Sequence, residues 1–201
     1  MTDRCRTLII LSPAFPGPGP ESTWVFSQQL MVESLKRHFP EIPVVVLAFF
    51  YPGRTASYGW KGARVISFNG LGQRSWRRVF LWFKIWKTMY RIHREQRVGG
   101  IISFWCGECA LLGSYFGRLY GIRHYTWICG QDARESNRYV RFIRPRAGEL
   151  VAMSRFLARE FHTNHGIMPL HLIPNGIDPA QFDTGISPGR DIDILGVGSL
   201  E

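Results

Sequence analysis

The chain lacks any run of the eighteen or so apolar residues that a membrane-spanning helix needs; its best candidate, Val44 to Tyr51, is far too short. A soluble or peripheral protein is expected. Cysteine is scarce, with only Cys5, Cys106, Cys109 and Cys129. The early apolar run Leu8 to Phe15 is short, broken by proline and preceded by charges of both signs, so no secretory leader is expected and a reducing cytoplasm is the expected compartment. Acidic residues are few, 15 against 25 Lys and Arg, which leaves a net charge of +10 and favours anionic or phosphorylated partners over basic ones. Several familiar devices are missing. There is no Walker loop, no GxGxxG, no nucleophile elbow and no serine triad pattern. The six histidines show no HExxH spacing, and His162 and His165, three apart on one helix, read as ordinary surface residues. No internal repeat or low-complexity tract occurs.

What the sequence does contain is alternation. The 201 residues are 45% hydrophobic, enough for one domain with a real core. Thr7 to Ser12 is a continuous apolar run of the kind found in a strand buried on both faces. A Gly-Pro loop follows, then an amphipathic helix capped at Ser22 or Thr23 and ending near Pro40. Pro43 to Phe50 and Ala63 to Phe68 read as strands separated by a Gly- and Tyr-rich loop. A long helix spans about Arg74 to Arg97, and Gly99 to Trp105 is a strand. Helix Glu108 to Tyr120, strand His124 to Cys129, short helix Asn137 to Arg144, strand Glu149 to Ser154, a helix capped by Ser154 and running to about His165, and strand Leu170 to Ile173 complete the series. This pattern predicts an α/β fold, a doubly wound Rossmann-like parallel sheet with helices on both faces. In such sheets ligands bind beyond the carboxyl ends of the strands, which directs attention to the loops after each strand.

The most informative loop is Cys129-Gly130-Gln131-Asp132-Ala133-Arg134, with Asn137 three residues further. A carboxylate and an amide at a strand end can hold sugar hydroxyls, and Arg134 can meet a phosphate. The plainer alternative is that Asp132 caps the following helix. Gly17 and Gly19 could let backbone amides approach an anion ahead of a helix, although Pro18 and Pro20 supply no donor. The segment Trp105-Cys106-Gly107-Glu108-Cys109 opens a helix as a redox pair does, where a lowered thiolate pKa would permit disulfide exchange. Two small semi-buried thiols are the default reading.

Helix 74–97 interleaves Trp76, Phe80, Trp82, Phe83 and Trp86 with Arg77, Arg78, Lys84 and other cations, against the single acid Glu95. Its aromatic arc is wider than packing on a sheet requires. With roughly 1 kcal/mol from each basic residue near an anionic leaflet, contact with an anionic membrane surface through Arg77, Arg78, Trp82, Lys84 and Trp86 is expected. No nucleic-acid-reading module accompanies the charges, so nucleic acid is not expected as a partner. A non-catalytic peripheral membrane or anion-binding module built on this helix is the rival class of function.

Late in the chain, Leu172 and Ile173 lead into Pro174-Asn175-Gly176, a combination that predicts a sharp turn through the tolerance of Asn and Gly for positive φ. It reads as the exit from one domain and the approach to another. With these residues assembled, the chain resembles the N-terminal half of a family 4 retaining glycosyltransferase with the two-domain GT-B fold. Three segments carry the resemblance. Val151 to Leu157 (VAMSRFL) is similar to the family's "SxFL" strand-to-helix segment. Ile173 to Asp178 with Phe182 is similar to its interdomain "IPNGID" turn. Asp193 to Leu200 (DILGVGSL) is similar to the opening strand and glycine loop of its donor domain.

The resemblance implies a domain of residues 1–183 on the acceptor side and, over 184–201, a linker and the first strand of a truncated donor domain. It implies transfer from a nucleotide-sugar to a saccharide or lipid-linked acceptor, with retention, no bound metal and no cofactor. Gly130 and Asp132 match the family's strand-end pattern, while Gln131, Arg134, Asn137 and Glu108 are candidates from the residues themselves; Asp132 and Gln131 would be catalytic. Gly130, Arg134, Asn137 and Glu108 would bind acceptor or phosphate, and Gly17, Gly19, Asn175, Gly176 and Gly198 would face the donor. Where the family commonly has histidine ahead of Gly-x-Asp, this sequence has Cys129, so no catalytic histidine carries over. The family's acidic donor motif would fall after Glu201, and the 201 residues alone are expected to give no turnover.

Overall fold

The computed structural model describes residues 6–17, 25–73 and 76–177. The strands are β1 (Thr7–Ala14), β2 (Val44–Tyr51), β3 (Thr55–Trp60), β4 (Ala63–Phe68), β5 (Val98–Phe104), β6 (Arg123–Ile128), β7 (Leu150–Ala152) and β8 (His171–Leu172). The α-helices are α1 (Phe26–His38), α2 (Trp76–Gln96), α3 (Glu108–Tyr120), α4 (Tyr139–Ile143) and α5 (Arg155–His165). The eight strands form one sheet in the order β3-β4-β2-β1-β5-β6-β7-β8. All neighbours are parallel except β3 and β4.

Strict alternation along the central strands sends side chains to two separate cores. Ile9, Leu11, Val45, Leu47 and Phe49 pack against Leu81, Ile85 and Met89 of α2 and Phe116 of α3. Ile10, Val44, Val46 and Ala48 pack on the other face against Val32 of α1. The parallel register sets Val45 and Ile101 on either side of Ile9, so each face is built of flush apolar rows. Burial on both faces is why β2 reads VVVLAFFY without a polar interruption. A third cluster joins Ile128, Leu150 and Ala152 to Val140 of α4 and Phe161 of α5, and it carries the strand ends that form the site. Gly113 of α3 permits one close approach, since a Cβ there would lie 2.7 Å from both His124 Nε2 and Ser103 Oγ. Those two groups are hydrogen-bonded at 2.8 Å in the interior, and the Ser103 hydroxyl donates to the carbonyl of Cys109.

Three expectations change. The segment expected as a loop between the second and third apolar strands contains β3, an antiparallel partner of β4. Lys61 and Gly62, with φ of 42° and 82°, make the two-residue turn that joins them. Helix α1 begins at Phe26 with Val25 in the N-cap position and no side-chain cap, while Ser22 and Thr23 lie outside the described residues. The chain after β8 does not turn sharply: neither Asn175 nor Gly176 has a positive φ. The Ile173 N–H donates to the Ala152 carbonyl (2.9 Å), extending the pairing past β8 and keeping the chain open. Among the described residues no helix is long and apolar enough to cross a membrane. The last strand expected, 192–197, lies outside the described residues.

Candidate active site

Reading outward from β1, the chain builds the sheet first in one direction, through β2 and β4, and then in the other, through β5 to β8. The carboxyl ends of β1 and β5 therefore part, and this reversal point is where doubly wound sheets hold their ligands. A cavity of about 440 Å³ opens there. Its walls are Pro13 from β1, Trp105, Cys106 and Gly107 from the end of β5, and Gln131, Asp132, Arg134 and Asn137 from the loop after β6. Four of the residues expected from sequence thus meet in one place.

Asp132 lies in a short 3-10 turn, Gly130–Ala133, and is only 6% exposed. Its carboxylate accepts a hydrogen bond from the Cys129 backbone N–H at 2.7 Å, so it caps the turn it belongs to rather than the helix after it. Burial pushes its pKa up from 3.8 to about 6, partly offset by backbone hydrogen bonding from Cys129 and Cys106. The surrounding backbone is pinned from several directions. Asn137 Nδ2 donates to the carbonyls of Cys106 (3.0 Å) and Asp132 (3.1 Å), and Asn164 Nδ2 donates to that of Ala133 (2.8 Å). His165 Nε2 lies 3.2 Å from the Asp132 carbonyl, so this histidine supports the site and is not a free surface residue. Asn164 and His165 end α5, whose start is fixed as expected, by the Ser154 hydroxyl accepting from the Leu157 N–H at 3.1 Å. Gln131 and Arg134 are exposed at the rim, where their polar ends are free to meet a ligand. Gly130 lines the adjoining cavity of about 330 Å³ with Arg134, Met153 and Ser154.

Trp105 was not singled out by sequence as a site residue. It sits at φ 64°, a strained conformation for a bulky residue, and its N–H donates to the Trp127 carbonyl at 3.0 Å. The twist ends β5 and aims the chain along the cavity wall into Cys106. Both neighbouring thiols are inert. Cys106 is 0% and Cys109 2% exposed, and burial pushes each thiol well above its ordinary pKa, overriding any effect of the helix start. The Cys129 thiol is pushed up to about 12 by burial and by Asp132. The default reading of Cys106 and Cys109 as small packing thiols stands, with both fully rather than partly buried, and the redox alternative falls away.

Glu108 is drawn away from the cavity. It accepts from Trp82 Nε1 at 2.6 Å and from the Tyr139 hydroxyl at 3.4 Å, and pairs with Arg78 Nε at 3.5 Å. Arg78 in turn lies over the Phe50 ring at 4.5 Å. This network ties α2 to α3 and α4. It turns Arg78 and Trp82 inward, and Trp86 packs edge-on against Phe116. The outward pole of α2 is formed instead by Trp76 (71% exposed), Val79, Phe80 and Phe83 (62% exposed), spaced i, i+3, i+4, i+7, and flanked by exposed Arg77 and Lys84. Gly17, expected to face the donor, lies beside Pro52 and Arg54, and the Tyr58 hydroxyl donates to the Pro16 carbonyl, so the β3 hairpin braces this loop. Asn175 and Gly176 line a separate cavity of about 300 Å³ with Ser27, Arg37 and Trp127. Gly19 and Gly198 lie outside the described residues.

A Rossmann-like α/β sheet with a cavity at its reversal point is the architecture of proteins that bind a small molecule beyond the carboxyl ends of their strands. Glycosyltransferase Family 4 matches residues 28–181, more than half of the chain, and the chain belongs to that family. No curated protein matches it.

Proposed function

We propose that the chain is the acceptor-side half of a retaining glycosyltransferase that moves a sugar from a nucleotide-sugar to a saccharide or lipid-linked acceptor at the cytoplasmic face of a membrane. The observation that carries this reading is the reversal-point cavity with one buried carboxylate, Asp132, held by its own backbone cap and faced by Gln131, Arg134 and Asn137. A carboxylate with a pKa near 6 is ionised in a neutral cytoplasm and is a strong acceptor for sugar hydroxyls. Asp132 and Gln131 orient the attacking hydroxyl, and Arg134 neutralises a phosphate on donor or acceptor. Positioning of this kind is worth several kcal/mol of barrier.

Residues 184–201 begin the donor-side unit, whose nucleotide contacts complete the reaction when the two halves close over the loop at Gly17. No metal is required. The outward pole of α2 rests on the membrane, with its aromatics in the interface and Arg77 and Lys84 toward anionic headgroups.

The test is sugar transfer by the natural gene product and its Asp132→Ala form, with circular dichroism to establish that both are folded. A loss of about a hundredfold or more supports the assignment. Near-normal transfer by the folded variant removes Asp132 from the site.

A further inference from the structure

A second and larger cavity lies beside the first. Between α2, α3 and α4 runs a groove of about 670 Å³ walled by Trp82, Trp86, Leu111, Tyr115 and Phe142, large enough for a drug-sized apolar ligand. One charged residue, Arg138, lines it. Tyr139 lines both this groove and the cavity at Asp132, so the two adjoin at that residue. Arg134 lines the cavity and Arg138 lines the groove. On α2 the groove wall, Trp82 and Trp86, lies one helical step from the exposed pole of Val79 and Phe83. The exposed apolar pole of α2 thus lies beside an apolar groove that adjoins the polar cavity, with Arg138 in the lining of the groove and Arg134 in that of the cavity. A second copy of this chain would bring another +10 of charge against the same face, which opposes self-association there. An amphiphile with an anionic junction between its chain and its head matches the sequence of surfaces.

We propose that the groove takes the hydrocarbon chain of a phosphate-linked lipid acceptor, with the phosphate between Arg138 and Arg134 and the head group presented to the cavity at Asp132. The proposal rests on the reading of that cavity as the acceptor site, and selects the lipid-linked acceptor over the free saccharide. The chain enters from the membrane along α2, and the head reaches the reaction centre without the lipid leaving the protein surface.

Isothermal titration of the 201-residue chain with dodecyl phosphate, below its micellar concentration, tests this directly. Each buried methylene is worth about fourfold in affinity, so octyl phosphate should bind at least about tenfold more weakly. Inorganic phosphate should give no measurable heat at the same concentrations, because the chain carries the affinity. Phe142→Glu with Tyr115→Glu, both at exposed positions, should weaken dodecyl phosphate about tenfold or more with the thermal midpoint retained. Arg138→Gln should weaken the phosphate while leaving a neutral alkyl ethylene glycol ether of equal chain length unaffected.

Equal binding of the neutral ether and the phosphate, or unchanged binding by the folded double variant, overturns the proposal. So does a dimer in sedimentation that Phe142→Glu dissociates. The two readings fail separately. If Asp132→Ala abolishes transfer while no dodecyl phosphate binds, the groove assignment alone is wrong. If dodecyl phosphate binds as described while Asp132→Ala transfers normally, the groove holds a lipid and the cavity is not the acceptor site.

Discussion

Replacing Asp132 by asparagine should stabilise the protein near pH 8 while damaging its chemistry. The carboxyl is nearly sealed from solvent, and its pKa rises from 3.8 to about 6. A shift of about two units corresponds to about 3 kcal/mol between the charged and neutral forms, an upper bound for what ionising this group costs the fold. The folded pKa lies above the unfolded one, so the penalty is absent below 3.8, grows as pH rises and is complete above about 6. Asparagine is nearly isosteric with the neutral acid, and its amide oxygen can still accept the Cys129 N–H. The variant therefore escapes the penalty and keeps the cap. Urea unfolding of both proteins across a pH series should show the variant ahead by about 1–3 kcal/mol near pH 8, the advantage closing toward pH 4. In thermal melts this is a gain of about 2–4 °C per kcal/mol for a protein of this size. A variant less stable than the parent near pH 8, or a difference that does not change with pH, would show that Asp132 is held as a comfortable anion and would refute the reasoning.

Three other outcomes follow from the same structure. Burial lowers the pKa of His124 from 6.5 to about 3, so the unfolded chain takes up a proton first; stability should fall by about 1.4 kcal/mol per unit as pH drops below 6.5, and His124→Gln should flatten that slope in urea titrations. Cys106 and Cys109 should react with a disulfide reagent only as fast as the protein unfolds; rapid modification of the native protein would restore the redox reading. Reversing the charges of Arg77 and Lys84 should weaken sedimentation with anionic vesicles by about 1 kcal/mol or more per residue and leave neutral vesicles unaffected; no change would remove the outer pole of α2 from any membrane role.

The sheet was legible because its central strands are buried on both faces: runs such as TLIIL and VVVLAFF admit no other reading in an alternating chain. Helix α3 appears at its expected bounds, Glu108–Tyr120, and Ser154 caps α5 as its residue type suggests. What went unseen depends on partners distant in sequence. In β3 the half-buried residues Ala56, Tyr58 and Trp60 alternate with exposed ones, a period of two that Gly59 and the surrounding glycines hid. The expected turn at Asn175 and Gly176 assumed that permissive residues use their permission, but neither adopts a positive φ, and the pairing continues past β8 to Ile173.

Within the site, the composition of the loop after β6 pointed to Asp132, Gln131, Arg134 and Asn137. It gave no sign that Asn164 and His165, some thirty residues on, would clamp that loop's backbone. Glu108 looked like a site residue because it starts a helix at a strand end, yet Trp82, 26 residues earlier, claims it. The division of the aromatics of α2 into an outer pole and an inner groove wall follows from helix geometry once one face is known to be buried. Which face that is depends on the sheet beneath it.

The central claim is that the cavity at Asp132 receives the acceptor of a sugar transfer. It is tested most directly by incubating the natural gene product, and its folded Asp132→Ala form, with a panel of labelled nucleotide-sugars and a lipid extract. The account predicts label in the lipid fraction, with retained anomeric configuration, from the parent protein, and a loss of about a hundredfold or more in the variant. Equal labelling by the two proteins would contradict it.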